Sequence, residues 1–266
     1  MEANDISWLS LIFSLFLLVI PIILSKIYSL GIIKETFISI FRMFLQLFLV
    51  GLFLEVIFDK NSPFLTAIWL ILMIGVASSS IIYKSKLKLK LFFVPVFLSI
   101  IINLGIMLIF FNAVIIKTND FFEAKYVISI GGMLLGNFLK GNIIGINNFY
   151  NAIKEKESEY LFSLGLGANK NEALSPFMRN ALKASIDPTL ITIATIGLVA
   201  LPGMMTGQIL GGVSPILAIK YQIAIMLLIY ITRIVGVYLL LKFTINISFD
   251  KYGILKKNIW EGKNEK

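Results

Sequence analysis

The chain has 266 residues, 58% of them hydrophobic and only 15% charged, with a formal charge of +9; this balance excludes an ordinary soluble domain. With no cysteine and no histidine, it cannot build a disulfide, a Cys/His zinc site, a His-ligated haem or an imidazole acid/base relay. The positive charge does not imply a nucleic-acid partner, because membrane proteins gather Lys and Arg on cytoplasmic loops for topological reasons.

Apolar stretches of spanning length follow one another at Ile6–Leu24, Phe37–Phe58, Pro63–Tyr83, Leu91–Ile116, Tyr126–Ile146, Pro188–Thr206 and Ile219–Phe243. Each approaches or exceeds the ~20 residues that a bilayer core requires. They leave no soluble stretch long enough for a second core, so the pattern predicts one membrane domain over residues 1–266. Its expected fold class is all-α, a polytopic transmembrane helical bundle of about seven spans. Glu2 and Asp5, not Lys or Arg, precede the first stretch, and no small-residue cleavage site follows it, so it is expected to stay in the mature protein. A short re-entrant piece at Gly207–Pro215 would change the count to six or eight.

Orientation follows from the basic residues. With the N-terminus outside, only Lys60, Lys117, Lys125 and Lys220 fall on the outer side and Arg233 stays within the last span. All other Lys and Arg are then inside, which predicts an N-out, C-in chain in the inner (plasma) membrane.

The one substantial loop, Asn147–Asp187, is expected on the cytoplasmic side as a helical hairpin. Phe149, Tyr150, Ile153, Tyr160, Leu161 and Leu164 recur at helical spacing, with Glu155, Lys156, Glu157 and Glu159 on the other face. Gly165 and Gly167 stop that helix, and Asn169 with Glu172 reads as a capping box opening a second one. Pro176 is expected to interrupt it, and Asp187–Pro188 to serve as N-cap and first residue of the sixth span. An amphipathic helix here either lies on lipid or docks in a partner's groove; its glutamates favour a protein partner.

Two segments, GGMLLGNFLKGNIIGINN (Gly131–Asn148) and LPGMMTGQILGG (Leu201–Gly212), resemble the iron-export ABC transporter permease family, FetB-like, to which plant aluminium-tolerance permeases also belong. The resemblance extends from RMFLQLFLVG (Arg42–Gly51) through LGLGANKNEALSPFMRNAL (Leu164–Leu182) to the last span. It implies a permease subunit that binds no cofactor itself and exports iron or a related metal. The energy would come from ATP with Mg on a separate cytoplasmic ATPase, in an assembly with two permeases. It also makes the loop a coupling segment, with Glu159, Leu164, Gly165, Gly167, Ala168 and Glu172 at the ATPase contact. Glu159 lies further ahead of Gly167 than in the general importer motif, and no Leu-Pro pair follows, so only the family's own form supports this role. The absence of a GxxxxGK[ST] loop agrees with hydrolysis in another chain.

Polar groups inside spans are the candidates for a pathway, since an ionisable group there costs about 2.5–3.5 kcal/mol and normally faces the protein interior. Arg42 and Gln46 share a helix face; Arg42 either snorkels or points inward. Arg233, roughly 21 Å along its span, is placed for an interior role. Asn137, Lys140 and Asn142 cluster with Gly131, Gly132, Gly136 and Gly141, a pattern that serves tight packing or a path. Pro202 and Gly203 break the sixth span and free carbonyls next to Thr206, either as a kink or as ligands. Met204 and Met205 are thioethers, suited to a soft metal or to plain packing. Gln208 and Gln222 flank the outer end of the last two spans. The competing function is a gradient-driven secondary transporter or channel for a cation, which would normally need a mid-span carboxylate that this chain lacks. An intramembrane enzyme is disfavoured, because no two carboxylates sit at facing depths.

Overall fold

In a computed structural model, residues 7–117 and 122–261 are described; Glu2, Asp5 and Ile6 of the first predicted segment, and the basic residues Lys263 and Lys266, lie outside them. The described regular structure is helical: α1 (Trp8–Ser14) and α2 (Val19–Ile27) joined by a 3-10 turn, α3 (Ile33–Lys60), α4 (Pro63–Lys84), α5 (Leu89–Phe110) with a π-helical end, α6 (Ala124–Glu155), α7 (Glu157–Gly165), α8 (Lys170–Thr195), α9 (Gly203–Leu210) and α10 (Pro215–Ser248). Six helical stretches among the described residues are long and apolar enough to cross a membrane: α1–α2 taken together, α3, α4, α5 with its π-helical end, α6 and α10. The protein is therefore a polytopic helical bundle.

The helix ends follow local chemistry. Asn61 closes α3 in the left-handed region, at φ 37, a conformation that asparagine tolerates better than most residues. Its side-chain Oδ1 also accepts the Ala124 backbone N–H at 2.9 Å, so one residue ends α3 and holds the first turn of α6. Pro63 then sits in the first turn of α4, where its missing N–H costs nothing.

The core lies between α4, α5, α6, α8 and α10, which pack on one another. Small residues let α6 and α10 approach closely. A Cβ on Gly236 would meet the Phe138 ring at 2.1 Å and Asn103 Nδ2 at 2.7 Å, and one on Gly145 would meet Val237 at 2.5 Å. By contrast Gly136, in the same glycine-rich run, has nothing within 4 Å of that position. Helices α1 to α3 are peripheral; α3 buries only Ile57, which packs with Ala124 and Ile128.

The sixth span differs from expectation. Instead of a helix starting at Asp187–Pro188, the segment opens inside α8, one helix from Lys170 to Thr195 that contains both Pro176 and Pro188 and is not one of the six spanning stretches. Neither proline ends it, because Ala173, Phe177, Ala181, Ser185 and Thr189 form an unbroken buried stripe four residues apart, while both prolines are exposed. Packing of that stripe against α6 and α10 outweighs one lost hydrogen bond per proline, a loss that neighbouring helices make tolerable. After α8 the chain turns through Gly197, at φ +87, and Gly203–Leu210 folds as a short helix against α10. The predicted continuous stretch Pro188–Thr206 is thus two helices separated by a turn.

At the opposite end, residues 249–261 form a strap under the bundle. Lys88 N–H donates to Ile259 O and Glu261 N–H to Lys86 O, both at 2.9 Å. Trp260 stands edge-on to Tyr150, with ring centroids 5.9 Å apart, and Tyr150 shares a 2.5 Å hydrogen bond with Ser248.

Candidate functional site

A cavity of about 350 Å³ opens where α6, α8, α9 and α10 converge. Helical repetition explains its lining. Met133, Asn137 and Lys140 follow at i, i+4 and i+7 on α6, and Gln222, Met226, Ile229 and Arg233 occupy one face of α10. Pro188, Thr189 and Thr192 of α8 and Pro202, Gly203 and Met204 at the start of α9 complete it. Lys140 and Arg233 lie ~24 Å and ~27 Å along α6 and α10, close to the middle of each.

Arg233 is buried, 5% exposed. It reaches across two helix junctions, donating through Nη1 to the Thr189 hydroxyl and through Nη2 to the Asn137 carbonyl at 3.1 Å. Gly141 makes room for it: a Cβ there would meet Arg233 Cγ at 2.8 Å and Nε at 2.9 Å. Nε has no hydrogen-bond partner, and neither does the buried Oε1 of Gln222. No acidic residue lines the cavity among the described residues.

The predicted pathway residues divide into three groups. Asn137, Pro202, Gly203, Met204, Gln222 and Arg233 meet at this cavity. Met205 does not; it lines an adjoining, more apolar cavity with Ile193, Leu201 and Leu227, which shares Pro202, Gln222 and Met226 with the first, because consecutive helical residues point about 100° apart. Thr206 bonds back to the Pro202 carbonyl at 3.1 Å, and Gln208 has a buried, unpartnered Oε1 outside the cavity. Arg42 and Gln46 are exposed on α3, and Arg42 borders a different cavity with Ser79, Tyr83 and Glu261. Among the described residues no cluster of three or more Asp and Glu has a metal-ligating arrangement.

Thr189 and Thr192 were not singled out by sequence, although Thr189 continues the four-residue stripe of α8. Lys140 was noted only as part of the fifth span's polar cluster.

The predicted loop helix is divided: Phe149, Tyr150 and Ile153 belong to the end of α6, which runs to Glu155, and only Glu157–Gly165 forms a separate short helix. The turn into α8 is built as its sequence suggests. Gly167 adopts φ +95, and its N–H bonds Leu164 O at 3.0 Å while Ala168 N–H bonds Ser163 O at 3.1 Å. This is the paired pattern of a Schellman ending, which glycine makes at no steric cost. Asn169 Oδ1 accepts from Asn171 and Glu172 N–H at 3.0 Å, and Glu172 accepts the Asn169 N–H at 2.8 Å, so the capping box is closed in both directions. Glu159 pairs with Lys156 at 3.3 Å, leaving Phe162 67% and Leu166 74% exposed. Gly165 and Glu172 are also exposed, and Leu164 and Ala168 are half-buried. Inside the hairpin Tyr160 donates to Gly253 O at 2.6 Å. Burial and the nearby Asp250 carboxylate push its pKa above the ordinary 10.0.

Comparison with known proteins places these features. The profile of UPF0014, an uncharacterised protein family, matches residues 8–249. The chain is 33% identical to the UPF0014 membrane protein YjkA of Bacillus subtilis, over 82% of this chain and 86% of that one. It is 32% identical to the probable iron export permease protein FetB of Escherichia coli over 85% of each. The protein ALUMINUM SENSITIVE 3 of Arabidopsis thaliana is 29% identical over 84% of this chain and 83% of that one. No solved structure matches. With this similarity spanning nearly every helix described above, the chain is a multi-pass membrane protein belonging to the UPF0014 family.

Proposed function

We propose that the chain is the permease subunit of an ABC exporter of iron or a related metal ion, working as two permeases with two cytoplasmic ATPase subunits that hydrolyse ATP with Mg. The observation that carries this reading is the course of α8. It begins at the capped hairpin with its exposed Phe162 and Leu166 and runs without a break to Thr189, which holds Arg233 in the cavity. A push on the hairpin is thereby delivered along one rigid helix to the centre of the bundle. An apolar pair flanked by Glu157 and Glu159 suits a groove on a partner better than an anionic lipid surface.

In this reading the cavity of α6, α8, α9 and α10 is the central part of the route. Met204 faces the substrate and Met205 supports the wall. Gln208 and Thr206 lie towards the outer exit. Arg42 and Gln46, exposed on a peripheral helix that crosses lipid, face the second permease. Among the described residues no carboxylate lines this cavity, where a gradient-driven mechanism would be expected to keep its proton or sodium site.

The test is co-expression with an ABC ATPase and measurement of ATP hydrolysis by the complex. Gly167→Pro and Glu172→Lys should abolish stimulation of the ATPase while leaving the permease inserted. Unchanged stimulation in both variants excludes the hairpin as coupling element. In parallel, Met204→Ala should lower metal transport, and Met205→Ala should leave it near the parent level.

A further inference from the structure

We propose that the cavity between α6, α8 and α10 binds an oxyanion, a carboxylate or phosphate group, so that metal passing through it does so as an anionic complex and not as a bare cation. The inference rests on the reading of this cavity as a transport route and specifies the chemical form of what it carries.

The first argument is charge. Two basic side chains, the buried Arg233 and the exposed Lys140, border the same cavity, with no acidic one among the described lining residues. Asp187 precedes Pro188 on α8, but it is exposed and is not part of the lining. At low effective dielectric a bare divalent ion would meet two like charges with nothing to offset them. An anion would supply the counter-charge that these groups otherwise lack in the bilayer interior.

The second argument is unused donor capacity. A guanidinium has five N–H donors in a planar fork that matches a carboxylate or phosphate. Arg233 uses one for Thr189 and one for Asn137, and its Nε faces Gly141 without a partner. A purely structural role, stapling α8 to α6, accounts for those two bonds. It does not account for Lys140, which has no hydrogen-bond or ion-pair partner among the described residues and sits one turn from Asn137. Gln222 also lines this space; its buried Oε1 is an unpartnered acceptor, so it adds a neutral donor only through its NH2 group. The neighbouring Met133, Met204 and Met226 provide an uncharged, polarisable wall that adds no negative charge to hold a cation. The volume lies at the small end of the range for small-ligand pockets, suiting one small carboxylate or its metal complex.

The permease alone, purified into nanodiscs of zwitterionic lipid without any ATPase, is offered labelled citrate, labelled ferric citrate and labelled ferrous ion in separate binding assays, with inorganic phosphate as competitor. Citrate and ferric citrate should bind more tightly than ferrous ion, phosphate should displace them, and affinity should fall as salt rises. Lys140→Gln should weaken both anions by about tenfold, the worth of one charge-assisted contact. Arg233→Lys, which keeps the charge and loses the fork, should weaken them to a similar degree. Gln222→Glu should reduce citrate binding and raise ferrous-ion binding. Binding of citrate without ferric citrate would make the ligand a free anion; binding of both makes it an anion that also carries metal. Tighter binding of ferrous ion than of either citrate form overturns the proposal, as does anion binding unaltered by Lys140→Gln. Because no ATPase is present, these outcomes are independent of coupling. ATP-driven transport of bare ferrous ion in proteoliposomes would uphold the exporter and sink the anion site.

Discussion

Helices α6 and α10 meet with glycines of each seated against side chains of the other, whereas α3, of similar length, buries a single residue. Both regions are strongly apolar, so hydrophobicity does not separate them; the placement of small residues does. Where lipid and protein are equally oily, association depends on close fit and on satisfied polar groups. The packing on α10 has both, in Gly236 against Phe138 of α6 and in Asn103 of α5 donating to the Thr232 carbonyl at 2.8 Å. Gly51 and Gly75, outside that contact, have open space where a Cβ would go.

The largest expected effect is therefore at Gly236. Gly236→Val drives methyl groups into the Phe138 ring and should cost more than about 3 kcal/mol, lowering the thermal transition in detergent or preventing accumulation of folded protein. Gly51→Val, equally β-branched and equally within a membrane helix, should leave the transition nearly unchanged. Equal losses at the two sites would mean that α3 is packed as tightly as α10.

The two arginines within spanning helices, Arg233 buried and Arg42 exposed, make the same comparison with charge. Arg233→Met removes hydrogen bonds to Thr189 and Asn137 O and should cost about 2 kcal/mol of stability, together with transport. Arg42→Met, on the exposed side of α3, should leave monomer unfolding as it is and act only on association between two copies, read by cross-linking single cysteines introduced along α3 into this cysteine-free chain.

A smaller loss is expected at the hairpin, whose caps are local. Asn169→Ala opens the capping box at a cost of about 1 kcal/mol, which frays the first turn of α8 without disturbing the membrane core. Stimulated ATP hydrolysis should drop severalfold while the thermal transition moves little. Asn169→Asp, which keeps an accepting oxygen, should restore it.

How much of this was legible in the sequence depended on the range of the interaction. Local signals read correctly: Gly167 and the Asn169–Glu172 pair predicted the hairpin's closure, and apolar length predicted the helices. Proline misled, because Asp187–Pro188 is a good helix start judged alone, and only the stripe from Ala173 to Thr189 packing on two other helices keeps α8 continuous. The convergence of Asn137, Gln222 and Arg233 follows from interhelical register, which no single span encodes. Met204 and Met205 are neighbours in the sequence, but Gly203–Leu210 is helical, so they line two adjoining cavities instead of one.

The smallest expected effect joins the hairpin to the core. Tyr160 is buried between Phe177 and Phe249, with ring centroids 6.2 Å and 5.9 Å away, and its hydroxyl holds the strap through Gly253 O. Its pKa is raised by burial first and by Asp250 second, so the folded chain keeps the phenolic proton more firmly than the unfolded chain does. That contribution is complete below the ordinary value of 10.0 and is lost as pH rises through the higher folded value. Tyr160→Phe keeps the ring packing, removes one hydrogen bond worth about 1 kcal/mol, and should lower amide-exchange protection across residues 249–261 about fivefold. The variant should also lose the additional alkaline fall in protection that the parent shows. If protection drops in the strap alone while ATPase stimulation is unchanged, the strap only braces the end of α10. If both drop together, the hairpin reaches α10 through Tyr160 as well as through α8, and the rigid core and the coupling region share a second mechanical link.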